Sequence, residues 1–298
     1  MPTSPEAERR IRAYHGDRGW REDVRAYTGV EPPAQDTGTG ALAPRAVGEA
    51  HHLAHLEQMA REDYKLRLHA EWLAALADAV EPGRPFQVLD YGCGAASFAS
   101  LALAWPEVRC TLAEASEVLL GYLRWRVARR GDARLEVVTL PARRGCSGAT
   151  ARLRIDVAAV EGRFDAIVLA DVLEHTLDPL RVLVHLLARL RPGGIAFVNY
   201  PSEIDGDWHT PEAFFQRAAC FWLLRLCCRH ANGHAWRRRA GPLPALALAL
   251  ARAGEPLLRR ASRRFARRVF AERGASIVAR VRELAGRELR VEELLSDV

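Results

Sequence analysis

The feature that most constrains the fold of this chain is an apolar segment that runs directly into a turn of small residues. Residues 86–89 have the composition of a short buried strand, and Pro85 precedes them, where a proline can start a strand but not continue one. Asp90 and the sequence Tyr-Gly-Cys-Gly-Ala-Ala follow, and then a helix that carries Phe98. The glycines allow a sharp turn that a ligand can approach closely, and the helix N-terminus offers free N–H groups. Because many doubly wound domains contain a Gly-x-Gly turn, this segment constrains the fold more than the function.

Strands and helices alternate after this turn, which is typical of a parallel sheet. The predicted strands are 86–89, 108–113, 135–140, 164–170 and 195–199, and the predicted helices are 117–130 and 179–190. The predicted fold class is therefore α/β, with a doubly wound and mostly parallel sheet that binds its ligand at the carboxyl ends of the strands. Residues 151–157 are either an additional strand or the true neighbour in the sheet in place of 135–140, and the sequence leaves this open.

Segments on both sides of the alternating region extend the domain. Residues 4–28 predict a helix whose aromatic side chains either dock on the core or form a lid over a substrate pocket, and residues 29–48 predict a linker. Residues 49–79 predict a lead-in helix; His51 and His55 lie one turn apart there without a third metal ligand, so we expect a solvated or packed histidine face. The predicted domains are 1–48 (N-terminal helix and linker), 49–235 (ligand-binding α/β domain) and 236–298 (Arg-rich, mainly helical extension).

The composition indicates the class of protein and its compartment. Of the 298 residues, 49% are hydrophobic and 27% are charged, as in soluble globular proteins, and no apolar run approaches the ~20 residues of a membrane-spanning helix. The first residues contain no secretory segment, and the six cysteines are unevenly spaced, so we expect a reduced, cytoplasmic protein. The basic residues are arginines apart from Lys65, a bias typical of genome composition, so the net charge of +6 is weak evidence for a nucleic-acid partner. The charge is concentrated after residue 235.

The C-terminal third contains three ambiguous patterns. Residues 221–228 predict either a sixth strand or the end of a helix that begins at Pro211, and residues 276–281 predict a last strand. Residues 255–273 predict a basic amphipathic helix, which is either a solvated face or a surface for an anionic partner.

Cysteines and histidines in the same third form a set that a metal site would also contain: Cys220, Cys227, Cys228, His230 and His234. Adjacent residues of a strand point to opposite faces, so the two neighbouring cysteines would not converge on one ion. We expect buried cysteines that pack as small hydrophobic residues, and no metal site.

Acidic residues at two strand ends bear on the kind of nucleotide that the turn would bind. Glu114 lies twenty positions after Gly94, where a carboxylate can accept both ribose hydroxyls in NAD and S-adenosylmethionine sites alike. Ser97 stands where the third glycine of a dinucleotide motif would fall. The carboxylate of Asp90 would repel a pyrophosphate but suits a cationic ligand or an α-amino group. An NAD-dependent dehydrogenase is therefore disfavoured.

Four motifs resemble those of class I S-adenosylmethionine-dependent methyltransferases, which have a Rossmann-like fold. They are Val-Leu-Asp-Tyr-Gly-Cys-Gly at 88–94, Phe-Asp-Ala-Ile-Val-Leu-Ala-Asp-Val-Leu-Glu-His at 164–175, Leu-Asp-Pro at 177–179 and Arg-Pro-Gly-Gly at 191–194. Within that family the chain is most similar to the small-molecule branch typified by quinone-biosynthesis methyltransferases, which His-Thr-Pro-Glu at 209–212 also resembles. The resemblance implies S-adenosylmethionine as the cofactor.

The resemblance also implies which residues bind that cofactor. It places the methionine part along residues 90–94, which are Asp90, Tyr91, Gly92, Cys93 and Gly94. It implies that Glu114 holds the ribose and that Ala115 lies beside the adenine. Asp156 would face the adenine amino group if 151–157 is the matching strand, and the backbone of Ala170 and Asp171 would line the floor under the sulfonium.

Methyl transfer mainly requires that the methyl group lies in line between the sulfonium and the nucleophile, and such alignment can supply ~7–11 kcal/mol of the barrier. A phenol or an amine also benefits from a base, for which the candidates are His175, His209 and Asp171. His175 has the alternative role of capping and packing a helix start.

We therefore predict methyl transfer to O, N or C of a small metabolite. The alternatives are an acceptor on a carrier, a peptide or an RNA, and a catalytically silent partner subunit that binds the cofactor. The sequence specifies neither the acceptor nor the oligomeric state.

Overall fold

The computed structural model of the chain describes residues 23, 24, 26, 27, 64–144, 153–200 and 209–285. The helices are α1 (Tyr64–Ala77), α2 (Ser97–Ala102), α3 (Glu117–Arg130), α4 (Pro179–Arg189), α5 (Pro211–Cys227) and α6 (Pro242–Ala285). The strands are β1 (Phe86–Tyr91), β2 (Val108–Glu114), β3 (Leu135–Thr139), β4 (Ala142–Arg144), β5 (Leu153–Ile155), β6 (Phe164–Ala170), β7 (Leu190–Asn199), β8 (Cys228–Asn232) and β9 (Ala235–Arg238). Single 3₁₀ turns span Val157–Ala159 and Leu173–His175.

The main sheet has seven strands in the order β3-β2-β1-β6-β7-β9-β8. The five strands from β3 to β7 are parallel, whereas β9 pairs antiparallel with both β7 and β8. The chain therefore builds outward from β1 to β3 and then returns to the other side of β1. Ligands of such sheets bind at the carboxyl ends of the strands where the order reverses, which here is the edge above β1 and β6. The predicted α/β doubly wound, mostly parallel fold is confirmed.

The third strand of the sheet is formed by residues that follow α3, and this answers the question that the sequence left open. Leu112 of β2 is in register with Val137 of β3. The competing segment pairs elsewhere, because β5 and β4 form a separate antiparallel ladder. The backbone N–H of Asp156 donates to the carbonyl of Pro141 at 2.8 Å. This small sheet is thus an insertion that leaves the domain at the carboxyl end of β3 and returns there.

Residues 221–227 continue a helix and only Cys228 begins a strand, so the strand interpretation of 221–228 is wrong and the helical one is right. α5 begins at Pro211, after Thr210, whose hydroxyl accepts from the N–H of Ala213 at 3.2 Å and caps the helix. Its buried side chains recur every three or four residues, as in an amphipathic helix; they include Gln216, Cys220, Leu223, Leu224 and Cys227. The strand that follows begins only at Cys228 and belongs to a hairpin that the sequence analysis did not predict.

Residues 276–281 do not form a last strand, because α6 runs without interruption to Ala285. The middle of this long helix packs on α5: Gln216 donates to the hydroxyl of Ser262 at 3.1 Å, and Phe265 packs against Phe214 and Phe215. A helix held along such a length cannot release its last turns to the sheet, where β8 already occupies the edge. Within the described part of the chain, no helix has the length and apolar character needed to cross a membrane.

The N-terminal region is described at four residues only, and these pack on α3. Tyr27 meets the ring of Tyr122 at 5.4 Å and that of Trp125 at 5.4 Å. Asp23 is buried and forms an ion pair with Arg126, Nε to Oδ2, at 3.1 Å. The rest of the predicted helix 4–28, the linker 29–48 and the histidines at 51 and 55 lie outside the described residues, as does 286–298.

Candidate functional site

The turn after β1 lies at the sheet edge where the strand order reverses. Gly92 and Gly94 have positive φ values of 64° and 54°, a conformation that L side chains rarely adopt. A Cβ on Gly92 would lie 2.8 Å from Cγ2 of Val172, so the turn touches the loop that follows β6. Ala96 also has a positive φ, 53°, although an alanine in this region costs about 1–2 kcal/mol. The turn is therefore held in a strained, closely packed shape.

Glu114, at the end of β2, organises this turn through backbone hydrogen bonds. Its Oε2 accepts from the N–H of Gly94 at 3.0 Å. Its Oε1 accepts from the N–H groups of Ala115 at 2.7 Å and Ser116 at 2.9 Å. Burial raises the pKa of this carboxyl, and the three N–H donors act in the opposite direction by favouring the charged form. The carboxylate that the sequence assigned to a ribose thus also fixes the turn.

Asp90 lies at the last position but one of β1, and its carboxylate faces the start of α2. Oδ2 accepts from the N–H of Ala99 at 3.3 Å. A helix N-terminus is the place where a dinucleotide site binds its pyrophosphate. Here the protein places its own negative charge at that position, so the predicted exclusion of a pyrophosphate ligand has a structural cause.

Tyr91 and Cys93 are buried within the same turn and stay neutral. Burial, and after it the charges of Glu114 and Asp156, raise the pKa of the Tyr91 phenol. Burial, with the charges of Asp90 and Glu114, raises the pKa of the Cys93 thiol well above its usual range. A thiolate is the nucleophilic form of cysteine, so Cys93 is not a nucleophile here. The phenol oxygen of Tyr91 is buried and has no hydrogen-bond partner among the described residues.

Asp156 lies at this edge of the sheet because of the insertion formed by β4 and β5, which was not predicted from the sequence. The sequence made its placement conditional on residues 151–157 being the third strand, and they are not. The insertion nevertheless returns to the end of β3, and the charge of Asp156 acts on Tyr91. Its Oδ1 accepts from the N–H of Ala158 at 3.0 Å. The side chain is exposed, so it lies on the rim of the site.

The end of β6 carries the second non-glycine residue with a left-handed backbone. Asp171 follows Ala170 and has φ 53°, and its Oδ1 accepts from Nδ2 of Asn199 at the end of β7. Strained backbone of this kind is concentrated at functional sites, where the surroundings hold it in place. The two strand ends are thus linked directly across the candidate site.

Glu174, His175 and His209 form a cluster beyond Asp171. One ligand-type atom from each of the three side chains lies within 4.8 Å of the others, and the two imidazole rings are 5.4 Å apart between centroids. Glu174 is only 3% exposed. The structure therefore brings together both histidines that the sequence proposed as bases. Glu174 was not among the predicted site residues, although its position next to His175 was the available signal.

A separate cavity of about 220 Å³ lies at the opposite edge of the sheet, lined in part by Arg84, Asp165 and Arg237. Asp165 there accepts from the N–H of Gln87 at 2.9 Å and pairs with Arg191. Arg84 lies just before β1 and Asp165 is the second residue of β6, so the cavity lies at the amino ends of these strands. Because parallel sheets of this kind bind ligands at their carboxyl ends, the edge with the glycine turn is the candidate site, and not this cavity.

Several solved structures are similar to the chain, each at low sequence identity. They include precorrin-6y C5,15-methyltransferase from Geobacter metallireducens GS-15, with 16% identity over 41% of this chain and 58% of that chain and a TM-score of 0.29. The CurJ carbon methyltransferase shows 14% identity, 59% and 55% coverage, and a TM-score of 0.40. The mitomycin 7-O-methyltransferase MmcR shows 16% identity, 64% and 66% coverage, and a TM-score of 0.34. The chain thus spans little more than half the length of the first two.

The sequence itself gives the decisive match. Residues 56–254 match the profile of a family described as Methyltransferase domain, a range that contains the glycine turn, Glu114 and the histidine cluster. No curated protein matches the chain significantly in sequence. Since the matched range covers most of the chain and all of the main sheet, the chain belongs to the Methyltransferase domain family of class I, S-adenosylmethionine-dependent enzymes.

Proposed function

We propose that this protein transfers a methyl group from S-adenosylmethionine to O, N or C of a small metabolite. The observation that carries the proposal is the contact between the glycine turn and the loop after β6, where a Cβ on Gly92 would lie 2.8 Å from Cγ2 of Val172. This contact supports the proposal because it brings the glycine turn, which we propose holds the cofactor, next to the strained loop that leads to the two histidines. Methyl transfer requires such an arrangement, because the donor and the acceptor must meet in line.

The residues of the turn fit the cofactor on three points. The positive φ values of Gly92 and Gly94 let the backbone approach a ligand closely. The buried phenol of Tyr91 offers a donor at the same edge. Asp90 presents a negative charge, which suits the cationic methionine end. We propose that 90–94 hold the methionine part and that Ala170 and Asp171 line the floor beneath the sulfonium, which supplies an electrophilic methyl group when the cofactor is bound.

Glu114 has room for one further donor. A carboxylate offers about four acceptor positions, and three are used, two on Oε1 and one on Oε2. We propose that the fourth, on Oε2, accepts one ribose hydroxyl, and that Ala115 lies beside the adenine. Asp156 on the rim would accept from the adenine amino group.

The acceptor side consists of His175, His209 and Asp171. The hydroxyl or amine of an acceptor needs to lose a proton during the transfer, and a nearby imidazole nitrogen can accept that proton as a general base. We propose that the acceptor binds between the end of β6 and the start of α5. Asp171 is held by Asn199 and orients this side.

Calorimetric titration tests the proposal. We expect S-adenosylmethionine and S-adenosylhomocysteine to bind in the micromolar range and NAD not to bind. Glu114→Gln, which keeps the side-chain volume, should weaken both ligands at least tenfold, whereas Glu161→Ala, an exposed control on a loop, should not. Absence of binding to wild-type protein, or preferential binding of NAD, would overturn the proposal. Binding without turnover of any acceptor would favour the silent partner subunit.

A second candidate is an acceptor carried on an anionic macromolecule, and exposed arginines of α6 favour it: Arg260, Arg264, Arg267 and Arg268. Neutralising the last three to Gln should weaken binding of a labelled poly-glutamate peptide and reduce its salt dependence between about 50 and 200 mM salt. The matched control replaces three exposed arginines elsewhere, Arg109, Arg181 and Arg229. Equal effects of the two triple variants would indicate a solvated face.

A further inference from the structure

The cluster of Glu174, His175 and His209 has the composition of a metal site, in addition to its proposed place beside the acceptor. Two imidazoles and one carboxylate each offer a ligand atom, and these atoms lie within 4.8 Å of one another. Metal–ligand distances for zinc are about 2.0–2.2 Å for nitrogen and oxygen. Two ligands of one ion are therefore at most about 4.4 Å apart, and small rotations of the side chains would close the set.

The backbone around the cluster holds the three ligands in a fixed relation. Glu174 and His175 lie on the 3₁₀ turn Leu173–His175, and His209 directly precedes the cap of α5. The N–H of Thr210 donates to the carbonyl of Glu174 at 2.8 Å. The hydroxyl of Thr210 donates to the carbonyl of Thr176 at 3.0 Å. Two hydrogen bonds thus join the loops that supply the ligands, although the loops are 34 residues apart in sequence.

The chemistry of this set points to a divalent transition metal. Two histidines and one carboxylate on one side of an ion, with the remaining positions open, form a recurrent site for such metals. A carboxylate as buried as Glu174, which is 3% exposed, is stabilised by a cation more than by water. Magnesium and calcium prefer sites composed of oxygen ligands, so a set with two nitrogens favours zinc, manganese or iron.

The cysteines that the sequence suggested as possible metal ligands are buried. Burial raises the pKa of Cys227 to about 11 and that of Cys228 to about 12. Only a thiolate binds a metal well, and these thiols stay protonated and packed in the core. The expectation that the chain has no metal site rested on these cysteines and on His51 and His55, and it did not include Glu174.

We infer that Glu174, His175 and His209 bind one divalent transition-metal ion, and that its open positions bind an oxygen of the acceptor. Metal binding stands without the proposed function, whereas the role of the ion rests on it. An ion there would lower the pKa of a bound hydroxyl, which selects acceptors with a phenol, an enol or a similar hydroxyl. The acceptor oxygen would then bond to the methyl carbon as the carbon–sulfur bond breaks. The electron pair of the broken bond stays on sulfur, which becomes a neutral thioether, and the hydroxyl proton leaves to solvent. With the ion bound, both histidines are ligands, so the ion activates the hydroxyl in place of the histidine base proposed above for the site without a metal.

Calorimetric titration of tag-free protein, stripped with a chelator, tests metal binding with ZnCl₂, MnCl₂ and MgCl₂ separately. We expect one zinc or manganese ion per chain and much weaker binding of magnesium. His209→Gln and Glu174→Gln should each weaken binding at least tenfold, and thermal unfolding of each variant confirms that it is folded. His234→Ala, an exposed histidine, is the matched control, and it should bind like the wild type.

Two results would overturn the inference. One is the absence of stoichiometric binding to wild-type protein. The other is binding that survives in folded His209→Gln but disappears in the double variant His51→Ala/His55→Ala, which would assign the ion to the N-terminal histidines. Visible absorption of the Co²⁺-substituted protein gives a readout independent of activity, because the bands of an ion with two nitrogen ligands should change in His209→Gln.

The same variants separate this inference from the proposed function. S-adenosylhomocysteine should bind to His209→Gln as it does to the wild type, because the cofactor residues are elsewhere. Metal binding without cofactor binding would overturn the proposed function and leave the metal site. Cofactor binding without metal binding would overturn the metal site and leave the proposed function.

Discussion

The proposed cofactor side of the site (the glycine turn with Asp90 and Glu114) and its proposed acceptor side (Glu174, His175 and His209) are organised in different ways. On the cofactor side, Asp90 and Glu114 direct their carboxylates to backbone N–H groups within the turn and the two helix starts that flank it. On the acceptor side, Glu174, His175 and His209 direct their polar atoms toward one another. The first arrangement fixes a backbone shape for a ligand, whereas the second concentrates side chains that can bind a proton, a metal ion or a substrate. The shape of the cofactor side is therefore set by backbone hydrogen bonds of the fold, whereas the chemistry of the acceptor side depends on which side chains are present.

The contact between the two sides is expected to be the most sensitive point. Gly92→Ala combines a left-handed backbone, which costs about 1–2 kcal/mol, with overpacking against Val172, which costs about 1–3 kcal/mol. We expect the free energy of unfolding to fall by about 2–5 kcal/mol and S-adenosylhomocysteine binding to be lost. Urea denaturation and calorimetry measure the two effects.

Gly83→Ala is the matched control for this variant. Gly83 also has a positive φ, 77°, but a Cβ there would meet nothing within 4 Å. Gly83→Ala should lower the free energy of unfolding only by the backbone contribution and should still bind the cofactor. If the two alanine variants were equally stable and both bound the cofactor, the two sides would not be in contact in solution.

The N-terminal region is expected to support the cofactor side through α3. Asp23 pairs with Arg126 at 3.1 Å and with Arg130 at 2.9 Å, and Arg126 also donates to the carbonyl of Ala95 in the turn at 3.4 Å. Removing one partner of a buried ion pair lowers the free energy of unfolding by about 3–5 kcal/mol. The loss should be at the lower end of this range because Arg130 is partly exposed and stays solvated without its partner. We expect Asp23→Ala to lower the free energy of unfolding by about 3 kcal/mol, as measured by urea denaturation, and to weaken cofactor binding more than metal binding.

The control for this prediction is the more exposed pair of Asp132 with Arg134. Asp132→Ala should cost at most about 1 kcal/mol and leave both ligands unaffected. Equal weakening of cofactor and metal binding by Asp23→Ala would show that the N-terminal region supports the whole domain and not one side.

Relief of strain in the turn should have a smaller effect of opposite sign. Ala96 has φ 53°, so Ala96→Gly removes about 1–2 kcal/mol of backbone strain and adds about 0.5–1 kcal/mol of unfolded-state entropy. We expect the free energy of unfolding to rise by about 0.5–1 kcal/mol, measured by urea denaturation. A decrease would indicate that the Cβ of Ala96 contributes more to packing than its backbone loses in strain.

The smallest expected effect is a pH dependence that arises from Glu114. Burial raises its folded-state pKa above the usual value of 4.5. A raised pKa means that the folded state holds the proton more tightly than the unfolded state, so this contribution to stability is complete below pH 4.5 and is lost as the pH rises through the folded-state pKa. The free energy of unfolding of the wild type should therefore fall relative to that of Glu114→Gln as the pH is raised from acid to neutral. Urea denaturation across that range measures it, and an increase with pH would mean that the three N–H donors outweigh burial.

Local patterns were sufficient to predict some parts of the fold and not others. The strand before Asp90 and the strand before Asp171 were predicted because parallel strands buried on both faces have continuous apolar sequences. The segment 221–228 was ambiguous because a short apolar run has no period that separates a strand from a helix, and the cap at Thr210 decided it. The predicted strand at 276–281 was wrong for a similar reason, because the long-range packing of α6 overrides a local strand preference.

The sequence by itself determined the doubly wound fold, the glycine turn, the position of Glu114 at a strand end and the family, because each depends on residues close together in the chain. Only the tertiary structure decided that Asp156 returns to the site, that Gly92 meets Val172 and that Glu174 joins two histidines. Each of these depends on loops that close over many residues, and their course is set by backbone hydrogen bonds between distant segments, such as that from Thr210 to Glu174. A one-dimensional pattern records which side chains are present, whereas their convergence on one point is a property of the packed chain.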